Sequence, residues 1–151
     1  MGVDLAIHAE QCEVKSCQED DMAEIKPGLV GEATLVVEEK HTAYHLGSGG
    51  VNVLATPIMV ALMEEAGRNA VEPLLEAGQL TVGAELHIKH LAPTPMGMKV
   101  TARAELLAVD GRMLTFHVEV RDEREKVGEG THIRAIINPE KFLARVQAKV
   151  Q

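Results

Sequence analysis

The chain has 151 residues, enough for one domain with a single substantial core, and its hydrophobic share of 46% and charged share of 25% are those of an ordinary globular protein. A net charge of −8 argues against a nucleic-acid binder or a basic membrane-surface patch, and an aromatic share of 2% with no Trp removes stacking platforms for bases or sugars. No apolar run approaches the ~20 residues of a membrane span and the N-terminus has no charged-then-apolar signal pattern, so the expected location is the cytoplasm.

Residues 1 to about 24 are polar and acidic, end in Glu19-Asp20-Asp21 and lack sustained periodicity. They predict a disordered or loosely docked extension ahead of a domain over residues 25–151, with Met22 as an alternative start. Cys12 and Cys17 have neither the companions of a zinc site nor the secreted setting of a disulfide, and read as reduced and incidental. Pro27-Gly28 turns the chain, and Gly31 to Lys40 reads as a strand with Ala33, Leu35 and Val37 on one face. His41 to Val53 reads as a loop. Its Leu46-Gly47-Ser48-Gly49-Gly50 fits neither a phosphate-binding loop nor a dinucleotide fingerprint, so flexibility at the mouth of a site is its expected use.

Thr56 to about Glu72 predicts the long helix of the chain, with Thr56 as N-cap, Pro57 at the first helical position and Pro73 as its stop. Its apolar arc, running through Met59, Val60, Met63, Ala66, Gly67, Ala70, Val71 and Leu74, is broad enough for a helix wrapped by something. Glu64 sits at the margin of that arc while Glu65 points to water; a carboxylate so placed must be hydrogen-bonded, paired or put to use.

Four alternating runs follow the exit turn at Glu76-Ala77-Gly78. The first sets Val82, Ala84, Leu86, Ile88 and His90 on the apolar side, with His87 turned away. The second, Lys99 to Ala108, turns small residues inward through Ala102, Ala104 and Ala108, as a sheet curved about a helix requires. Asp110-Gly111 is a hairpin turn, and the return strand carries Leu114, Phe116, Val118 and Val120 inward. After the polar Asp122-Glu123-Arg124-Glu125, the last strand puts Val127, Thr131, Ile133, Ala135 and Ile137 on one parity, and Pro139 to Val150 forms a short amphipathic helix. Short connections make the strands antiparallel neighbours. The fold class is therefore α+β: five antiparallel strands curled around a long central helix, closed by dimerisation.

Thr56, Glu64 and His90 are expected to converge on one apolar compartment, where they supply a hydroxyl, a carboxylate and an imidazole, the set needed for acyl transfer. The helix N-terminus adds backbone donors for an oxyanion. Leu54-Ala55-Thr56-Pro57, Leu62-Met63-Glu64, Val82-Gly83, the run from His87 to Gly97, Gly128-Glu129-Gly130-Thr131-His132-Ile133-Arg134 and Glu140-Lys141-Phe142 lie in one colinear register over about residues 26 to 148. Together they resemble the hotdog-fold acyl-CoA thioesterases of the fluoroacetyl-CoA thioesterase type. The resemblance implies a hotdog fold, a homodimer with its site between subunits, and hydrolysis of an acyl-CoA thioester without metal or redox cofactor, CoA being part of the substrate. It places the catalytic roles on Thr56, Glu64 and His90 and sets Gly83 and Arg134 in the lining of the site. Arg134 falls on the outward parity of its strand, so a bulge near Gly128 or Gly130 is needed to turn it inward.

Members selective for the fluorinated substrate resemble one another in bulky aromatics before the helix, where this chain has Gly47-Ser48-Gly49-Gly50; a general short acyl-CoA is therefore the expected substrate. A non-catalytic acyl-CoA binding or sensing module is the alternative, distinguished by ligand binding without turnover. A hydratase of the same fold would resemble others in an Asp and His pair at short spacing, which the sequence lacks. Whether attack proceeds through a covalent acyl intermediate or an activated water is open at the level of sequence.

Overall fold

The computed structural model describes residues 24–151. The expected acidic extension, with Cys12, Cys17 and Met22, lies outside the described residues except for Glu24.

Five strands, β1 (Val30–Val36), β2 (Leu80–His90), β3 (Lys99–Asp110), β4 (Met113–Arg121) and β5 (Lys126–Ile137), form one antiparallel sheet in the order β1-β3-β4-β5-β2. Among the described residues three α-helices accompany it: α1 (Ala43–Leu46), α2 (Thr56–Val71) and α3 (Pro139–Gln147). The segment read as a loop thus holds one helical turn, α1, capped by the Thr42 side chain and closed by Gly47 at φ 75°. A sequence window without apolar periodicity conceals so short a helix. The first strand also stops at Val36, four residues short of the expected Lys40, because a 3₁₀ turn at Glu39–His41 follows.

Helix α2 packs on one face of the sheet, mainly over β1 and β3. Ala102 and Ala104 are fully buried beneath it, and Gly31 permits the approach because a Cβ there would collide with the Ala66 carbonyl oxygen. Met59, Met63, Leu106, Leu114 and Phe116 complete a core in which each side chain contributes about 1.5–3 kcal/mol of burial. Among the described residues no helix is long and apolar enough to cross a membrane.

Three one-residue bulges interrupt the ladders. Leu106 faces Phe116 and Ala108 faces Thr115, which leaves Leu107 extra; Gly83 faces Arg134 and Glu85 faces Ile133, which leaves Ala84 extra; Val120 faces Gly128 and Arg121 faces Lys126, which leaves Val127 extra. Each inserted residue reverses the alternation beyond it. Ala108, expected inward, is exposed. On β2 it is Thr81 and Gly83, not Val82 and Ala84, that face α2, since Thr81 is buried and a Cβ on Gly83 would meet Glu64. On β5 the inward parity passes to His132 and Arg134, both buried, in place of Thr131, Ile133 and Ala135.

Candidate active site

The N-terminus of α2 is anchored from two sides. The Ala55 N–H donates to the His41 carbonyl at 2.9 Å, and the Leu54 N–H donates to the Thr94 carbonyl at 2.9 Å, which ties the entry of α2 to the segment leaving β2. Thr94 is buried and its hydroxyl donates to Asp122 at 3.0 Å. These bonds bring the start of α2 beside the end of β2, where the Thr56 hydroxyl lies 2.7 Å from His90 Nδ1. Thr56 was expected as the N-cap. Ala55 holds that position without a side-chain cap and Thr56 is the first helical residue, so its hydroxyl is free for the imidazole. Among the described residues the Thr56 backbone N–H has no partner, which leaves a donor at the positive end of the helix.

His90 is half-buried. Burial lowers its pKa below the usual histidine value, with the Ala92 backbone opposing the shift. That backbone group does not meet hydrogen-bond geometry, and Nε2 is a buried atom without a partner among the described residues. The pair opens on a cleft of about 500 Å³ whose apolar wall includes Val53, Leu54, Leu91 and Ala92, with Ser48 and Gly49 at its rim. A neutral imidazole bonded to a hydroxyl in an apolar cleft can take up and return a proton during attack on an acyl carbon.

Glu64 belongs to a different cluster. Its Oε2 stands 3.5 Å from Arg134 Nη1, under Gly83, where a Cβ would come within 2.7 Å of it. Arg134 donates through Nε to the Thr81 hydroxyl at 2.9 Å, through Nη2 to the Thr81 carbonyl at 2.9 Å and through Nη1 to His132 Nε2 at 3.2 Å. Burial lowers the Arg134 pKa, and Glu64 opposes that shift more strongly than Glu72 does. The Glu64 side chain is partly exposed and lies beside Gly83 of the edge strand β2.

The structure thus brings Thr56 to His90, and Glu64 to Gly83 and Arg134, but does not join the two groups within one chain. Thr56 and Glu64 are separated by about 12 Å along the helix axis, and His90 and Gly83 by about 23 Å along β2. Within one chain the expected convergence reaches only Thr56 and His90, because eight helical residues carry the Glu64 carboxylate along the axis away from them. His132 and Thr81 went unremarked in the sequence because period-two reading put them on the outer face; the closely spaced Gly128 and Gly130 were the available signal of a bulge.

A second groove of about 460 Å³, on the opposite face of the sheet, includes His87, His117 and Glu129. There His87 is taken up by Glu85 at 2.6 Å and His117 by Glu119 at 3.5 Å. Among the described residues no group of three or more His, Cys, Asp or Glu side chains is arranged to hold a metal ion.

Residues 37–140 match the family model described as fluoroacetyl-CoA-specific thioesterase. The fluoroacetyl-CoA thioesterase of Streptantibioticus cattleyicolor is 45% identical over 97 residues, covering 64% of this chain and 70% of that one. A structure of the fluoroacetyl-CoA thioesterase FlK, a variant in complex with acetyl-CoA, superposes with a TM-score of 0.79 at 37% identity over 84% of this chain and 100% of that one. A thioesterase superfamily member from Thermus thermophilus gives a TM-score of 0.76 at 30% identity, over 83% and 93% of the two chains. With the five-stranded sheet, the long central helix and this agreement over most of its length, the chain belongs to the fluoroacetyl-CoA-specific thioesterase family of hotdog-fold hydrolases.

Proposed function

We propose that this acyl-CoA thioesterase hydrolyses short-chain acyl-CoA thioesters at a site built from two copies of the chain, each giving one half. The observation that carries the reading is the 2.7 Å contact between Thr56 and His90, made by two residues of the right chemistry at the positive end of α2 and facing an apolar cleft. In this reading the thioester carbonyl lies at the start of α2, where the free Thr56 N–H and the helix dipole stabilise the developing oxyanion. His90, neutral at the start of the cycle, accepts the proton released on attack and returns it to the departing CoA thiolate. Attack by Thr56 would give an acyl ester that water then cleaves; attack by water would use Thr56 to orient the imidazole and Glu64 to polarise the nucleophile. Both routes release free acid and CoA. Gly83 leaves room for the carboxylate, and Arg134 supplies positive charge beside it.

The separation between the two halves supports the homodimer. Strand β2 is an edge strand of eleven residues, and its unpaired backbone groups are a template for a second copy. Antiparallel self-pairing of β2 about a dyad near Leu86 and His87 sets His90 of one protomer opposite the Gly83–Ala84 bulge of its partner. The pair at His90 then faces Glu64 of the partner subunit. The glycine-rich Gly47-Ser48-Gly49-Gly50 at the rim leaves the cleft open to acyl groups without a fluorine-selecting aromatic cover.

Mixing two inactive variants tests this reading. Thr56→Ala and Glu64→Ala protomers, exchanged into heterodimers, regain up to about a quarter of wild-type thiol release, because each heterodimer holds one intact site. No recovery in verified heterodimers, or full activity in either variant alone, would sink the shared site. Ligand binding with no turnover of any acyl-CoA in a panel would favour a binding module instead.

A further inference from the structure

The chemistry above makes no use of His132, a fully buried imidazole in contact with Arg134. We infer that His132 is a positioning residue for the thioesterase reaction, an uncharged acceptor that holds the Arg134 guanidinium against Glu64 beneath Gly83. The inference rests on the reading of the site given above and deepens it.

The partners of the ring dictate its state. A guanidinium nitrogen only donates, so Nε2, 3.2 Å from Arg134 Nη1, presents its lone pair. A backbone carbonyl only accepts, so Nδ1, 2.9 Å from the Glu85 oxygen, carries the proton. An imidazolium would instead aim a second N–H at the guanidinium. Arg134 and Glu64 are the charged groups that face the ring. Phe116 stacks on it with centroids 6.3 Å apart, and Gly67 of α2 leaves space for both the Arg134 stem and the imidazole edge. Burial lowers the His132 pKa, with Arg134 acting in the same sense and the Glu85 carbonyl and Glu64 opposing.

Arg134 is 2% exposed, and Thr81 takes its Nε and Nη2. Only Nη1 is shared between His132 at 3.2 Å and Glu64 at 3.5 Å. Removing the imidazole leaves Nη1 with Glu64 as its one close acceptor among the described residues, and the guanidinium can then turn about Nε and draw the carboxylate with it. The Glu85 carbonyl that orients His132 directly follows the bulge at Ala84, so the same irregularity aims Gly83 at Glu64 and fixes the ring.

The test joins spectroscopy to kinetics. In the ¹⁵N spectrum of the unaltered chain, recorded without substrate, His132 appears protonated on Nδ1 and stays neutral through the ordinary histidine range; an Nε2–H tautomer or an ordinary titration overturns the inference. His132→Leu lowers kcat for acetyl-CoA by about a hundredfold with KM little changed. His132→Gln, whose side-chain oxygen replaces the Nε2 acceptor, recovers to within about tenfold of wild type. Equal losses in both variants, or a folded His132→Leu protein with wild-type kcat, overturns the assignment. Failure of the underlying reading is separate: it appears as full activity in Glu64→Ala and His90→Ala and leaves the spectrum of His132 unchanged.

Discussion

The Thr56 hydroxyl and His90 Nδ1 meet at 2.7 Å although 34 positions separate the two residues in the chain. One begins the central helix and the other ends an edge strand; the Leu54–Thr94 backbone bond holds those two ends side by side, while the Ala55–His41 bond anchors the helix start to the preceding segment. Thr56→Ala and His90→Ala each lower kcat by about 10²–10⁴-fold. Thr56→Ser, which keeps the hydroxyl, retains most of the rate. Steady-state thiol release measures both, and a Thr56→Ala enzyme as fast as the wild type would remove the pair from the chemistry.

The pH dependence follows from burial. His90 and His132 both have pKa values pushed below the usual 6.5 by desolvation, so each remains neutral in the folded chain at pH values where the unfolded chain is already protonating. Below 6.5 the unfolded state binds more protons, and folding stability declines as pH falls from there through the folded-state values. Thermal melts at descending pH should show that loss. The acid limb of kcat/KM should likewise lie below pH 6.5, where a free imidazole would lose its base form; a limb above it would contradict His90 as base.

Gly83 and Gly130 separate function from packing. In Gly83→Ala the new methyl would stand 2.7 Å from the end of the Glu64 side chain, which can swing aside. Activity should fall by more than about tenfold with stability changed by less than about 1 kcal/mol. In Gly130→Ala the methyl collides with the His87 carbonyl and the Ile88 backbone, which cannot move alone, so a destabilisation of about 1–3 kcal/mol or more is expected. Urea denaturation and thiol release, measured side by side, check both; an active Gly83→Ala enzyme would detach Glu64 from catalysis.

Phe116 lies at the centre of the core, 0% exposed, between the sheet and α2 and stacked on His132. Phe116→Ala should cost about 3–5 kcal/mol. Chemical denaturation of the variant against wild type gives the number, and a cost under about 1 kcal/mol would mean that the core repacks freely.

The order of elements, the buried arc of α2 and the inward faces of β4 and the first part of β3 are legible in the sequence, because each follows from a local period of side chains against one apolar layer. Thr56, Glu64 and His90 stand out in the sequence as candidates, polar groups at the margins of those faces, and the fold brings Thr56 to His90. Which way Thr81, Gly83, His132 and Arg134 point was decided only by the tertiary structure. One inserted residue at Ala84 and one at Val127 reverse the alternation, and an insertion is defined by the partner strand, not by the strand that carries it. The Thr56 hydroxyl likewise chose between capping its own helix and binding a distant imidazole, a competition settled by the backbone bonds that hold the two chain segments together. Finally, the rise of the helix keeps Glu64 away from that pair, a distance set by geometry that residue types at the two positions do not reveal.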